Sequence, residues 1–479
     1  MPLLEIPFLL ANIATLLLML LHKNAGWAAA AVLVLLLLHI SFVSWRWQFA
    51  PAYGAAALLP LFLLLQYGLM AIYQKQLYNW VSHLVIVLCF LLLIASVLLT
   101  LLFPVFSLKK PAGEFQIGTV SYVWEDEARE ESYTSDAADK RQVVLQIWFP
   151  SDGQVATSDA RSPYFPDRKQ ATRQLQADFG FPGWLFQHFD AIQTHAYETL
   201  EFAAAREKYP VVFFSHGLPA ARFVYSYFIE HFVSNGYIVV GLQHPYTALA
   251  TSLSEEKVVT FDKRIMSLNG DFTQINPALS PIVHTQAEDA IFVLDEIANR
   301  QKSGEPSAGF WRKFDLSQLA MAGHSLGAAT MLEALHKDDR FRAGIFLDGY
   351  PYGGANMDEG LRQPILYMTD HRGTVPRYMD AAVEAKKKRI LQNGGWDLSI
   401  RGTHHFMFSD ASLYSPLISL MFPYARGSAI KPERAHDIIN QVSFAFLESR
   451  LRNQPAEAVE EALSAFPEIS VNERYGAAE

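Results

Sequence analysis

Cysteine is almost missing from this chain of 479 residues. The single one, Cys89, lies inside an apolar run, so no intrachain disulfide can form and thiols say nothing about compartment. Charge is missing from the first 107 residues, where Glu5, Lys23, Arg46 and Lys75 are the only formally charged side chains. That stretch is net +2 in a chain of net −9, so the remainder carries −11. An acidic remainder without a clustered basic stripe argues against nucleic acid as a partner. No repeat with a period of 20 to 50 residues is apparent, which argues against a solenoid.

Long hydrophobic runs, by contrast, fill the charge-poor part. Four occur, at about Ile6 to Leu21, Trp27 to Val43, Gly54 to Tyr73 and Leu84 to Phe106, each near or beyond the ~17 residues that cross hydrocarbon as a helix. The breaks hold His22, Lys23 and Asn24, then Trp45, Arg46 and Trp47, then Gln74, Lys75, Tyr78 and Trp80, as an interfacial belt would. No basic region precedes the first run and three more follow it, so a membrane anchor of about four helices is expected rather than a cleaved signal. Arg46, Lys109 and Lys110 on one side oppose Lys23 and Lys75 on the other, three against two, which sets no orientation.

From Pro111 the pattern changes. Gly113 to Trp124 and Val143 to Phe149 read as hairpin strands around an acid-rich loop, Glu125 to Lys140. Residues 154 to 205 have no clean period and include Phe179, Phe181, Trp184, Phe186 and Phe189, readable as an acyl-binding flap or as an insertion packed on the core. Short apolar runs then alternate with amphipathic helices: strands at Val211 to Phe214, Tyr237 to Leu242, Leu319 to Ala322, Gly344 to Leu347, Ile365 to Met368 and Leu398 to Ile400. Helices are expected at Phe223 to Val233, Gln286 to Arg300, Ala328 to His336, from Met379, and at Ala435 to Leu451. This alternation predicts a mostly parallel sheet covered on both faces, hence an α/β fold. The expected divisions are 1–106, an all-α transmembrane region; 107–452, the α/β domain; and 453–479, a polar tail.

One pentapeptide organises the second part: Gly323, His324, Ser325, Leu326 and Gly327, a G-x-S-x-G motif between a strand and a helix. A serine there sits on a sharp turn, with helix N–H groups beside it to hold an oxyanion. It needs a base and an acid, expected in the chain order Ser, Asp or Glu, His. His404 and His405 follow the last expected strand; Asp348 ends the strand after the serine, and Asp370 ends the next. Adjacent histidines rarely converge on one ion and no acidic cluster surrounds them, so no metal is expected, and no cofactor motif is seen. Ser215, His216, Gly217 and Leu218 follow the strand that supplies the second oxyanion donor, so the N–H of Leu218 pairs with that of Leu326, and His216 braces the loop.

Several of these segments together resemble the plasma/type II platelet-activating-factor acetylhydrolases. They are Val212 to Leu218 with the aromatic helix after it, Gly323 to Gly327, Leu347 with Asp348, Gly402 to His405 with Phe408 and Asp410, and Gly118, Thr119 and Trp148. The resemblance covers roughly residues 111 to 450 and implies an α/β-hydrolase, a calcium-independent serine esterase that removes short or oxidised sn-2 acyl groups from phospholipids. It implies Asp348 as the acid and His405 as the base. Asp348 also directly terminates an apolar strand, whereas Asp370 opens a polar turn, His371, Arg372, Gly373, where a solvated ion pair is the ordinary expectation. Leu326 after the serine, and Tyr350, Pro351 and Tyr352 after Asp348, depart from the family pattern. The expected partners are lipid or small-ester substrate and membrane, with no obligatory protein partner. Two other functions fit less of the pattern: an esterase or amidase for small polar esters, and a non-catalytic hydrolase-like sensor, which an incomplete triad would favour.

Overall fold

A computed structural model describes residues 4–21, 23–43, 45–73, 79–156, 160–268, 270–305, 307–354, 359–370, 381–418 and 430–475. The chain divides into two compact units. The first comprises Met1–Phe106 together with Trp184–Ala191 and Tyr414–Leu417; the second comprises the rest. The expected division at residue 106 did not include the two short excursions from the later sequence.

The first unit is built on α1 (Glu5–Leu20), α2 (Gly26–Val43), α3 (Ala50–Tyr73) and α4 (Asn79–Leu102). Three apolar segments, Gly26–Val43, Trp47–Tyr73 and Asn79–Leu102, are long enough to cross a membrane, while α1, at 16 residues, is shorter. Ala52, Ala55 and Ala56 are buried, and these small side chains let α3 approach α4 closely enough for the Ala52 N–H to donate to Ser96 Oγ at 2.8 Å. Trp27, Trp45 and Trp80 are exposed at helix ends, as expected. His22, Gln74, Lys75 and Tyr78 lie outside the described residues. Residues Trp184–Ala191, read from sequence as flap or packed insertion, form a 3₁₀ segment whose Trp184 ring meets Trp47 at 5.1 Å.

The second unit carries an eleven-stranded sheet among the described residues. Its strands are β1 (Gln116–Glu130), β2 (Lys140–Ser151), β3 (Arg161–Pro163), β4 (Gln193–Tyr197), β5 (Tyr209–Ser215), β6 (Ile238–Gln243), β9 (Phe314–His324), β10 (Ala343–Leu347), β11 (Ile365–Asp370), β12 (Gly395–Ile400) and β13 (Ile469–Tyr475); β7 (Ala250–Ser252) and β8 (Val258–Thr260) form a separate ribbon. The order β13-β12-β11-β10-β9-β5-β6-β2-β1-β4-β3 contains a parallel core from β6 to β12. Every residue of β5, β6 and β10 is buried, because helices cover both faces, and this is why these strands read as continuous apolar runs rather than alternations.

Among the described residues, the helices of eight or more residues in this unit are α5 (Arg168–Phe179), α6 (Ser226–Ser234), α7 (Phe272–Lys302), α8 (Leu326–Lys337), α9 (Ala381–Leu391), α10 (Pro432–Leu451) and α11 (Glu457–Ser464). Val293 and Leu294 of α7 and Met331 and Leu335 of α8 pack with Val211, Phe213, Leu319 and Met321 of the sheet in one core. Each such fully buried side chain contributes roughly 1.5–3 kcal/mol relative to exposure.

Three expectations need correction. The hairpin strands run further than expected, to Glu130 and from Lys140, so the acid-rich stretch supplies strand as well as loop. The expected polar tail, as far as residue 475, contains α11 and β13, which pairs antiparallel with β12 and closes that edge of the sheet. Side chains of an edge strand are largely solvated, which is why β13 reads as polar. The long helix begins at Phe272, not Gln286, starting with a capping box in which Asp271 accepts from the Gln274 N–H. Met379, the expected start of α9, lies outside the described residues.

Candidate active site

The strand-to-helix turn places Ser325 at the carboxyl end of β9, at the first position before α8, with φ 57° and ψ −120°. A non-glycine residue in this region is strained, and the turn survives because its neighbours leave no alternative. A Cβ on Gly327 would lie 2.1 Å from the Ser215 carbonyl oxygen, so only glycine lets α8 start this close to β5. The Ser325 N–H donates to the Leu347 carbonyl at 3.0 Å, tying the turn to β10.

His405 reaches the serine from the loop after β12. Its Nε2 lies 3.1 Å from Ser325 Oγ and its Nδ1 lies 2.6 Å from Asp348 Oδ2. A carboxylate only accepts, so Nδ1 carries the proton and the Nε2 lone pair faces the hydroxyl, the tautomer a general base needs. Asp348, at the end of β10, is wholly buried with φ 43°. Its N–H donates to the Met368 carbonyl at 2.8 Å, and its Oδ1 accepts from the Asp370 N–H at 3.1 Å. Both oxygens are therefore oriented, one toward His405 and one by the chain of β11.

The two aspartates do not differ in burial as the sequence suggested. Asp370 was expected in a solvated turn, yet it is 1% exposed, because β11 extends to it between β10 and β12. Its contact with Asp348 is through its main-chain N–H. Residues 371–373, the expected ion-pair partners, lie outside the described residues.

Beside the serine, a Cβ on Gly217 would lie 2.9 Å from Ser325 Cβ, so the loop after β5 lies directly against the nucleophile turn. The Gly217 N–H donates to Tyr225 Oη at 2.9 Å. Leu326 is the first residue of α8, where N–H groups have no intrahelical acceptor. The Leu326 side chain packs with Ile265, Leu279, Val283 and Ala329, with Leu218 and Tyr352 against them, an apolar cluster at the start of α8.

Several supporting residues have no motif of their own. His324, buried in the elbow, accepts from Tyr225 Oη at Nδ1, 3.0 Å, and donates from Nε2 to the His405 carbonyl, 3.1 Å. It thus links Tyr225, and through it the loop after β5, to the loop that carries His405. His216 braces its loop as expected: Nδ1 donates to the Gly217 carbonyl at 2.8 Å and Nε2 accepts from the His244 N–H at 3.2 Å. Burial lowers its pKa to about 3, so it stays neutral. His404, also buried, is lowered to about 4 for the same reason.

A second serine, histidine and aspartate stand in line beneath the loop. Ser215 Oγ is 3.0 Å from His244 Nε2, and His244 Nδ1 is 2.8 Å from Asp289 Oδ2, to which Arg141 Nη2 also donates at 2.7 Å. Burial alone would raise the Asp289 pKa, but Arg141 and His244 hold it well below the usual carboxylate range. All three residues are fully buried, so Ser215 cannot meet a substrate and the trio acts to fix the end of β5. The only hint in the sequence is that His244 directly follows β6, at the same sheet edge as His216.

A family model described as "Platelet-activating factor acetylhydrolase, isoform II" matches residues 103–461. A platelet-activating factor acetylhydrolase of Gallus gallus is 28% identical over 349 residues, covering 66% of this chain and 80% of that protein. One from Cavia porcellus is 29% identical over 270 residues, and this chain spans only 58% of its length. A probable 1-alkyl-2-acetylglycerophosphocholine esterase of Arthroderma benhamiae is 29% identical over 209 residues, covering 42% of this chain and 48% of that protein. Among solved structures, a ferulic acid esterase from Streptomyces cinnamoneus superposes with a TM-score of 0.58 at 21% identity, covering 77% of this chain and 99% of that one, which supports the α/β-hydrolase fold.

Proposed function

The chain belongs to the platelet-activating factor acetylhydrolase, isoform II family, and from that premise we propose that it is a membrane-anchored serine carboxylic ester hydrolase acting on short or oxidised sn-2 acyl groups of phospholipids. The observation that carries the reading is the unbroken line Ser325, His405, Asp348 at 3.1 and 2.6 Å on a strained strand-to-helix turn. Ser325 Oγ attacks the ester carbonyl as its proton passes to His405 Nε2. The carbonyl oxygen becomes an oxyanion facing the Leu218 and Leu326 N–H groups. Collapse of this intermediate breaks the bond to the lysolipid oxygen, which leaves with the proton from His405. Water, deprotonated by the same nitrogen, then releases the acid and restores Ser325. Asp348 orients His405 and stabilises its imidazolium form. The apolar helices α1 to α4 would hold the hydrolase beside its lipid.

The test is hydrolysis of p-nitrophenyl esters and sn-2 acyl phospholipids of increasing chain length by the purified protein and its Ser325→Ala variant. Short-chain sn-2 turnover lost in the variant supports the proposal. Turnover that persists in the variant refutes it.

A further inference from the structure

The helical unit contains a buried ion pair that the hydrolase reaction does not use. Glu5 opens α1, and Arg46 stands between the end of α2 and the 3₁₀ turn Trp47–Phe49 that leads into α3. Their side chains are 0% and 3% exposed, and Arg46 Nη1 donates to Glu5 Oε1. Arg46 Nε and Nη2, and Glu5 Oε2, have no hydrogen-bond partner among the described residues. The guanidinium lies 5.5 Å from the centre of the Phe49 ring, which supports one side of the Arg46 head.

Both residues line an open-sided cavity of about 220 Å³, together with Val97, Thr100, Leu101, Pro104 and Val105. Roughly 10–15 Å³ of such volume holds one water, so the space suits a ligand of headgroup size. Its donors and acceptor are specific. Nε and Nη2 form the side edge of the guanidinium fork, the edge that takes two oxygens of one phosphate. Oε2 of Glu5 demands a donor. An ion pair that leaves two N–H groups and one carboxylate oxygen unspent out of water is a poor bargain by itself. A ligand with a phosphate and an N–H-bearing ammonium satisfies all three atoms and keeps the site neutral once the two side chains turn toward the cavity, since none of the three is accessible in the present packing.

The depth of the site identifies where that ligand comes from. Glu5 begins α1, Arg46 follows α2 and precedes α3, and Leu101 is in the last turn of α4, so the cavity lies at one end of the helices. Trp45 and Trp47 flank Arg46 there, as aromatic residues do at the headgroup level of a bilayer. On the reading that α1 to α4 are membrane-embedded, we propose that the Glu5–Arg46 cavity binds the phosphoethanolamine headgroup of a bilayer lipid, as a bound lipid separate from the substrate at Ser325. Phosphatidylcholine offers the phosphate but no N–H for Glu5. Phosphatidylglycerol offers the phosphate but no cation.

The test uses full-length protein in nanodiscs of phosphatidylcholine alone, or doped with phosphatidylethanolamine or phosphatidylglycerol, followed by native mass spectrometry of the lipid carried out of the bilayer. Phosphatidylethanolamine should be retained about tenfold over either other lipid. Arg46→Lys, which keeps the charge and loses the fork, should abolish that preference while hydrolysing a water-soluble acetyl ester at the wild-type rate. Equal retention of the three lipids, or an Arg46→Lys variant that keeps the preference, overturns the proposal. Free O-phosphoethanolamine or inorganic phosphate that displaces the retained lipid at equal concentration would assign the cavity to a soluble anion and overturn it likewise. Carbonate extraction of the full chain separates the two readings. Release by carbonate removes the membrane reading, whereas a chain that stays in the membrane without preferring ethanolamine removes the headgroup site alone.

Discussion

Side-chain identity decides the chemistry at Ser325, and three single substitutions isolate it. Ser325→Ala should abolish labelling by a fluorophosphonate and lower kcat by about 10⁴ to 10⁶, as loss of a nucleophile does elsewhere. Labelling retained in that variant would remove the acyl-serine step. Asp348→Asn should cost about 10³ to 10⁴ in kcat, because an amide that donates to His405 Nδ1 selects the wrong tautomer. Asp370→Asn should cost less than about tenfold, since Asp370 meets Asp348 through its main-chain N–H, which the substitution leaves in place. The opposite ranking in steady-state kinetics of the two folded variants would make Asp370 the acid.

Elements, rather than residues, hold the base loop and shape the acyl site. Asp410 accepts from the N–H groups of Ser226, 2.9 Å, and Tyr227, 3.2 Å, and so binds the loop that carries His405 to the start of α6. Burial raises its pKa to about 7, against an ordinary 3.8, although these N–H groups and Tyr164 oppose the shift. The folded state therefore holds this proton more tightly than the unfolded chain does. The favourable contribution is full below the ordinary value and is lost as pH rises through about 7. Thermal inactivation of the wild type should accordingly move to lower temperature between about pH 5 and about pH 8, and Asp410→Asn should flatten that dependence. An identical slope in both proteins would show that another group titrates. The apolar cluster of Leu326, Ile265, Leu279 and Val283 lies at the start of α8, with Tyr352 stacked on Phe272 at 5.4 Å. From this and the proposed preference for short sn-2 acyl groups, acetyl and butyryl esters should be cleaved faster than palmitoyl esters. A kcat/KM that climbs steadily with chain length would contradict it.

For the molecule as a whole, the two units imply separable tasks. The full chain should resist carbonate extraction, while a chain beginning at Pro111 should be soluble and still hydrolyse short water-soluble esters. Release of the full chain by carbonate would refute the anchor, and an inactive but folded truncated chain would show that the helices shape the site. Trp184–Ala191 and Tyr414–Leu417 cluster with the N-terminal helices, so truncation also removes the Trp47 ring that meets Trp184.

Local patterns in the sequence were enough to locate the apolar helices, the alternation of strands and helices, the G-x-S-x-G turn and the candidate partners of Ser325. Each rests on a period or a short motif that neighbouring residues express by themselves. Asp410 was visible only as part of a resemblance, and its capping of α6 required two segments 184 residues apart to meet. The same holds for the fully buried line of Ser215, His244 and Asp289, which joins two strand ends to a helix, and for β13, whose polar sequence becomes strand only by pairing with β12. The burial of Asp370 likewise follows from strands on both sides of β11. Periodicity records which face of an element is apolar. Which distant polar groups share a hydrogen bond depends on how those elements pack, and only the tertiary structure decided that.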